Sequence, residues 1–252
     1  FGDSLNNSNF SLTNNMIFSY PGYNEILTGN ADPTIKSNAK IYNKNVTVLE
    51  KLNQTNNYKN KIAAFASWDV FPYIINDKRS GIPVNAGYME ELNIKTPVVD
   101  YINKNQKRTP VIWENVRLDV YTHNLALEYI KKKRPKLVYI AYGETDDFAH
   151  GEKYDFYINS LNYTDNMIAE LWGYVQSNKF YKDNTYFIIT TDHGRGLMED
   201  WSGHGTSKAS WLAILGPNIE KTGLVEGEFF TNQIAETIMQ ISKKSKTKIP
   251  TD

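Results

Sequence analysis

Three of the four histidines in the chain stand in short motifs whose spacing suits ligands of a divalent metal. Asp192-His193-Gly194 follows the apolar, β-branched run 185–191. Asp146 and His150 lie four residues apart, just beyond another such run, 137–142. His204 is flanked by Gly203 and Gly205. Imidazole and carboxylate together suit zinc, manganese or iron, and such sets mark hydrolytic metal centres. A hydroxyl nucleophile would complete that chemistry. Ser19 precedes Tyr20-Pro21-Gly22, a turn able to open a helix, and a helix N-terminus welcomes an anion. A serine oxygen alone attacks poorly, and metal coordination makes it an alkoxide near neutral pH.

These residues need a frame to position them. Four short apolar segments bounded by polar or glycine residues read as buried parallel strands: 62–67, 137–142, 186–191 and 211–215. Helical spacing of apolar residues covers 46–52, 116–133, 156–175 and 232–241. Strands alternating with helices predict a single α/β domain, a mostly parallel central sheet with helices on both faces. The stretch 76–110, with Gly81, Pro83, Gly87 and Pro97, fits the alternation poorly and is expected to form a cap insertion. Ligands bind beyond the carboxyl ends of strands in such sheets, which is where both Asp/His motifs fall. Asp146 and His150 share one face if the segment after Gly143 makes a helical turn. Asp192 and His193, being adjacent, need a sharp bend, and Gly194 and Gly196 permit one.

Bulk composition narrows the partners. Lysine plus arginine and aspartate plus glutamate balance at 28 each over 252 residues, so no global field draws the chain to a nucleic-acid duplex or an anionic membrane. Any phosphate it handles is held locally. The absence of cysteine excludes disulfides, thiolate metal sites and cysteine nucleophiles. No stretch approaches the ~18–20 apolar residues needed to span a bilayer. Phe1-Gly2-Asp3-Ser4 carries no basic-then-apolar signal pattern and reads as a processed or truncated start. The tail from Lys243 onward is basic and expected to fray. The Asn-x-Ser/Thr triplets, as at Asn45 and Asn53, read as chance in an asparagine-rich chain.

Asp146-x-x-x-His150, Asp192-His193-Gly194 and Gly203-His204-Gly205, in that order over an α/β frame, resemble the alkaline phosphatase superfamily. That group includes nucleotide pyrophosphatases/phosphodiesterases, phosphomutases and sulfatases. The segment from Ser19-Tyr20-Pro21-Gly22-Tyr23 through Leu27-Thr28-Gly29 is similar to the nucleophile segment of the type I phosphodiesterase branch. The resemblance implies that Asp146, His150 and His204 hold one divalent metal, while Asp192, His193 and the Ser19 oxygen hold another. Zinc is the first expectation for both, with manganese or iron as alternatives. It further implies hydrolysis of small phosphate mono- or diesters through a phosphoryl-serine intermediate, in the periplasm or outside the cell. A phosphotransferase or phosphomutase, a sulfatase-like enzyme and a degenerate metal-binding member are the alternatives.

Three departures from the pattern matter. The family takes a further aspartate from a strand upstream of the nucleophile, and the only earlier aspartate here is Asp3, in a polar segment. The first strand and its ligand are therefore expected to be absent from this chain, leaving the Asp192/His193 site short of one carboxylate. Gly22 stands where many nucleotide phosphodiesterases have asparagine. The arginine of the sulfatase motif Cys/Ser-x-Pro-x-Arg is Tyr23 here, which disfavours sulfatase chemistry. Elsewhere the bland readings prevail. Glu144 and Asp147 read as neighbours of the ligand Asp146, and His123 as a packed or surface histidine in a helix. The run 131–134 reads as a solvated helix end, and Tyr23, Tyr88 and Trp201 as packing aromatics.

Overall fold

The computed structural model describes residues 1–219 and 223–244. In chain order its strands are β1 (Ser8–Ser11), β2 (Ile62–Ala66), β3 (Val84–Ala86), β4 (Leu137–Ala141), β5 (Phe187–Thr190), β6 (Leu212–Leu215) and β7 (Gly227–Phe230). Its helices are α1 (Ser19–Thr28), α2 (Val48–Asn53), α3 (Phe71–Ile75), α4 (Asp77–Ser80), α5 (Pro97–Asn105), α6 (Asp119–Lys133), α7 (Glu144–His150), α8 (Tyr154–Ser177) and α9 (Gln233–Lys244). The architecture is the expected α/β class, with parallel sheets and helices on both sides. Two units divide the chain. One comprises residues 1–38, 45–48 and 174 onward, the other residues 39–44 and 49–173. The tail beyond residue 244, where fraying is expected, lies outside the described residues.

In the second unit β2 lies between β3 and β4, parallel to both. Every residue of β2 is buried, which is why Ile62–Ala66 reads as a continuous apolar run and not as an alternation. Phe65 and Ala63 pack with Leu125, Ala126 and Tyr129 of α6 and with Val99 and Ile102 of α5. Helix α5 starts where Thr96 accepts a hydrogen bond from the Val99 amide and Pro97 occupies the first helical position. Helix α6 ends at Arg134, in a left-handed conformation before Pro135, and its last-turn lysines are exposed, as the sequence indicates. The stretch 76–110 supplies α4, the edge strand β3 and α5 to this unit.

Arg117 is wholly buried in the same unit. Its guanidinium donates to Thr122 Oγ1, to Asn85 Oδ1, and to the carbonyls of Ala66 and Asn85. One side chain thus ties the end of β2 and strand β3 to the start of α6. Removing it strands several buried acceptors, each costing about 1–3 kcal/mol. Arg117→Met is expected to lower unfolding free energy by about 3–5 kcal/mol, read by urea denaturation. A change below about 1 kcal/mol would show that the network is dispensable.

In the first unit β1 runs parallel to β7, and β5 pairs with β6. The latter pair corrects the sequence reading, which makes 186–191 and 211–215 parallel strands. They are antiparallel, with Phe187 opposite Leu215 and Thr190 opposite Leu212. The connection between them holds only a 3-10 turn, Met198–Asp200. A parallel return requires a crossover, usually a helix, and none is available here. That long reversal carries His193 and His204.

Candidate functional site

Each unit presents one group of the candidate residues. In the second unit Asp146 and His150 lie on α7, just past the carboxyl end of β4, so the segment after Gly143 does make the helical turn that puts them on one face. Asp146 Oδ2 stands 3.4 Å from His150 Nε2, and the side chains are 36% and 45% exposed. Glu144 and Asp147 flank Asp146 in the first turn of the helix.

The position of α7 is fixed from outside the helix. Asp119 accepts hydrogen bonds from the Gly143 and Glu144 amides, at 2.8 and 3.0 Å. Glu144 in turn accepts from the Asp119 amide at 2.7 Å. Each carboxyl group therefore accepts from amides at the start of the other helix, and both acidic groups lie at the positive ends of helix dipoles. Ser67 Oγ also donates to Asp119.

Burial, and after it the charge of Glu144, push the Asp119 carboxyl up to about 7 from 3.8, against the opposing pull of its hydrogen bonds. Burial shifts Glu144 in the same direction. Between about pH 4, where an unfolded aspartate loses its proton, and about pH 7 the folded chain keeps a proton that the unfolded chain has released. This contribution to stability is therefore complete below about pH 4 and is lost as pH rises through about 7. Asp119→Asn, uncharged throughout, is expected to flatten the fall in melting temperature across that window. Parallel curves for the two proteins would contradict the assignment.

In the first unit Ser19, Asp192, His193 and His204 converge. Ser19 is the first residue of α1, preceded by the extended Phe18, and Pro21 is tolerated because first-turn amides need no intrahelical partner. Gly22 has a steric reason. A Cβ there would come within 2.3 Å of the Asp192 carbonyl oxygen, so α1 and the end of β5 approach closely only because the residue is glycine. That approach brings Ser19 Oγ to 3.2 Å from His193 Nε2. Asp192 Oδ2 is 3.5 Å from the same nitrogen. Ser19 and His193 are both buried, at 9% and 6% exposure.

The imidazoles are oriented by backbone carbonyls. His193 Nδ1 donates to the Gly194 carbonyl at 3.0 Å, and His204 Nδ1 to the Ile17 carbonyl at 2.6 Å. A carbonyl can only accept, so Nδ1 carries a proton in both rings, and in the neutral form of each the lone pair falls on Nε2, as metal-binding histidines require. The rings lie against each other, centroids 3.8 Å apart. Gly205 (φ +56°) lets the His204 loop turn against Asp200, whose Oδ2 a Cβ would meet at 2.7 Å.

For a tetrahedral ion with bonds of ~2.0–2.1 Å, neighbouring donor atoms stand roughly 3.3–3.4 Å apart. The Ser19–His193, Asp192–His193 and Asp146–His150 separations of 3.2, 3.5 and 3.4 Å match that edge. The donor set, imidazole Nε2 with carboxylate and hydroxyl oxygen, suits zinc or another borderline divalent ion.

Three remaining motif residues are structural. His123 is buried, bonding Tyr142 through Nδ1 and Glu170 through Nε2, and burial depresses its pKa. The Tyr88 hydroxyl donates to the Trp113 and Val116 carbonyls. Asp3 accepts from the Asn6 amide in the turn before β1. Sequence reasoning missed Asp119, Glu25 and Asn14. The one signal for Glu25 is a carboxylate followed directly by the apolar pair Ile26-Leu27.

The family model for sulfatases matches residues 95–239, more than half of the chain, and the chain belongs to that family. The match spans Asp146, His150, Asp192, His193 and His204 and stops short of Ser19. No curated protein matches the sequence. Among solved structures, the lipoteichoic acid synthase LtaP from Listeria monocytogenes is similar at a TM-score of 0.64 and 15% identity, over 95% of this chain and 64% of that one. The alkaline phosphatase of the Antarctic bacterium TAB5 is similar at 0.55 and 15%, over 94% and 86% of the two chains. A phosphonate monoester hydrolase from Silicibacter pomeroyi is similar at 0.51 and 13%, over 98% and 68%. The fold is that of the alkaline phosphatase superfamily, and the chain spans less than two thirds of LtaP. No helix among the described residues is long and apolar enough to cross a membrane.

Proposed function

We propose that the chain is a metal-dependent hydrolase of small phosphate esters, of phosphodiesterase or phosphatase type, with Ser19 as nucleophile. The observation that carries this reading is the Ser19 hydroxyl, buried at the N-terminus of α1 and 3.2 Å from His193 Nε2. Family membership and a fold shared with a phosphatase and a phosphonate monoester hydrolase support it. Asp192, His193 and the Ser19 oxygen would hold one divalent ion, and Asp146, His150 and His204 the other, with zinc first and manganese or iron as alternatives. These assignments follow the motif resemblance, and the Nδ1-anchored rings of His193 and His204 support them.

Bound divalent ions supply Lewis acidity, lowering the pKa of a hydroxyl and offsetting charge on a phosphoryl group. The chain's own part begins at α1, whose positive end favours the phosphoryl anion beside Ser19. Ser19 Oγ gives up its proton and forms a bond to phosphorus as the ester's alcohol oxygen leaves in line and takes up a proton from water. Water then attacks the phosphoryl-serine, releasing phosphate from a monoester or the remaining monoester from a diester, and restoring the hydroxyl. Burial of Ser19 and His193 limits solvent around the reacting oxygen. Tyr23, at the arginine position of the sulfatase motif, favours phosphate over sulfate esters. A periplasmic or extracellular site of action, and a place in the type I phosphodiesterase branch, belong to the same reading.

Ser19→Ala, assayed at saturating zinc, is expected to reduce turnover of p-nitrophenyl phosphate esters by at least about a thousandfold. Unchanged turnover would remove Ser19 from the mechanism.

A further inference from the structure

Glu25 is a fully buried carboxylate on α1 with an unusual number of donors aimed at it. It accepts from the amide and hydroxyl of Thr13, from the amide and side chain of Asn14, and from the Thr231 hydroxyl. Burial alone would push its carboxyl up. The hydrogen bonds outweigh burial and hold it below the ordinary carboxylate range, so it is ionised at neutral pH.

Four of the five donors belong to Thr13 and Asn14, in the loop that leads to Ser19. With its amide group held there, Asn14 turns its Oδ1 to accept from the Met16 and Ile17 amides, at 3.1 Å each. The loop closes on Ile17 at φ +51°, the one β-branched residue in the left-handed region among the described residues. A β-branched residue does not adopt that conformation unless its surroundings impose it. The outcome is a carbonyl at Ile17 that meets His204 Nδ1 at 2.6 Å, two residues before the proposed nucleophile.

We infer that Glu25 and Asn14 are positioning residues: they hold the 13–17 loop in the turn that presents the Ile17 carbonyl to His204, fixing that ring as the Nδ1–H tautomer, whose Nε2 bears the lone pair a metal ion would take. The inference rests on the proposed reading of His204 as a ligand. Its first half, the tautomer, is independent of that reading. Outer partners of this kind change metal affinity ten- to a hundredfold when removed.

The test uses the whole chain labelled with 15N-histidine. Long-range proton–nitrogen spectra read ring tautomers, the His204 signal being assigned by its loss in His204→Ala. Zinc affinity is measured by competition with a chromophoric chelator. In the wild type without metal, His204 is expected as the Nδ1–H form, and an Nε2–H form there overturns the inference without any variant. Asn14→Ala and Glu25→Gln are each expected to mix the His204 tautomers and to weaken zinc binding at least tenfold. Thr231→Val removes the one Glu25 donor outside the loop. It is expected to lower melting temperature while leaving tautomer and affinity unchanged, which a general loss of stability would not do. A folded Asn14→Ala with wild-type tautomer and affinity overturns the inference. Full zinc affinity in His204→Ala, with the tautomer still shifted in Asn14→Ala, overturns the ligand reading and supports the positioning role.

Discussion

A buried carboxylate must be surrounded by hydrogen-bond donors or give up its charge, and each unit of this chain is organised around one such group. Glu25 takes the first course, with five donors that keep it ionised. Asp119 has backbone amides and a serine hydroxyl, and shares its burial with Glu144, so its proton is held to about pH 7. In both cases all but one of the donors belong to the backbone or loop that carries the candidate chemistry. Satisfying the carboxylate and placing the site are the same event.

The proposed function rests on what those clamps hold. Asp119 fixes the first turn of α7, and α7 sets Asp146 and His150 on one face. In the other unit the close approach permitted by Gly22 brings α1 to the end of β5, and Ser19 to His193. Backbone carbonyls choose the tautomers of His193 and His204. Imidazole nitrogens beside carboxylate and hydroxyl oxygens are the donor types from which a hydrolytic metal centre would be built. Family membership agrees with that chemistry.

Much of this was legible in the sequence because it is written in local pattern. The four apolar runs appear as strands and the four helical patterns as helices, with ends shifted by a few residues. Asp146 and His150 could be placed on one helical face by spacing alone. The relation between β5 and β6 was not legible, since an apolar run has no direction and only the absence of a helix in 191–211 hints at reversal. Glu25 and Asp119 were hidden for a different reason. A carboxylate in a helix is ordinarily solvated, and its burial depends on donors distant in sequence, such as Thr231 for Glu25 and Ser67 for Asp119. Gly22 illustrates the same limit. The sequence marks it as a departure from a family asparagine, while its reason, the backbone of Asp192, lies far along the chain.

The proposed chemistry requires the Ser19–His193 pair to form one side of a metal-binding site. Anomalous diffraction at the zinc edge, from crystals of the zinc-loaded chain, tests it most directly. A zinc peak is expected ~2.0–2.2 Å from His193 Nε2, with Ser19 Oγ and an Asp192 oxygen as its other protein neighbours. A fully loaded crystal with no anomalous peak beside His193 would contradict it.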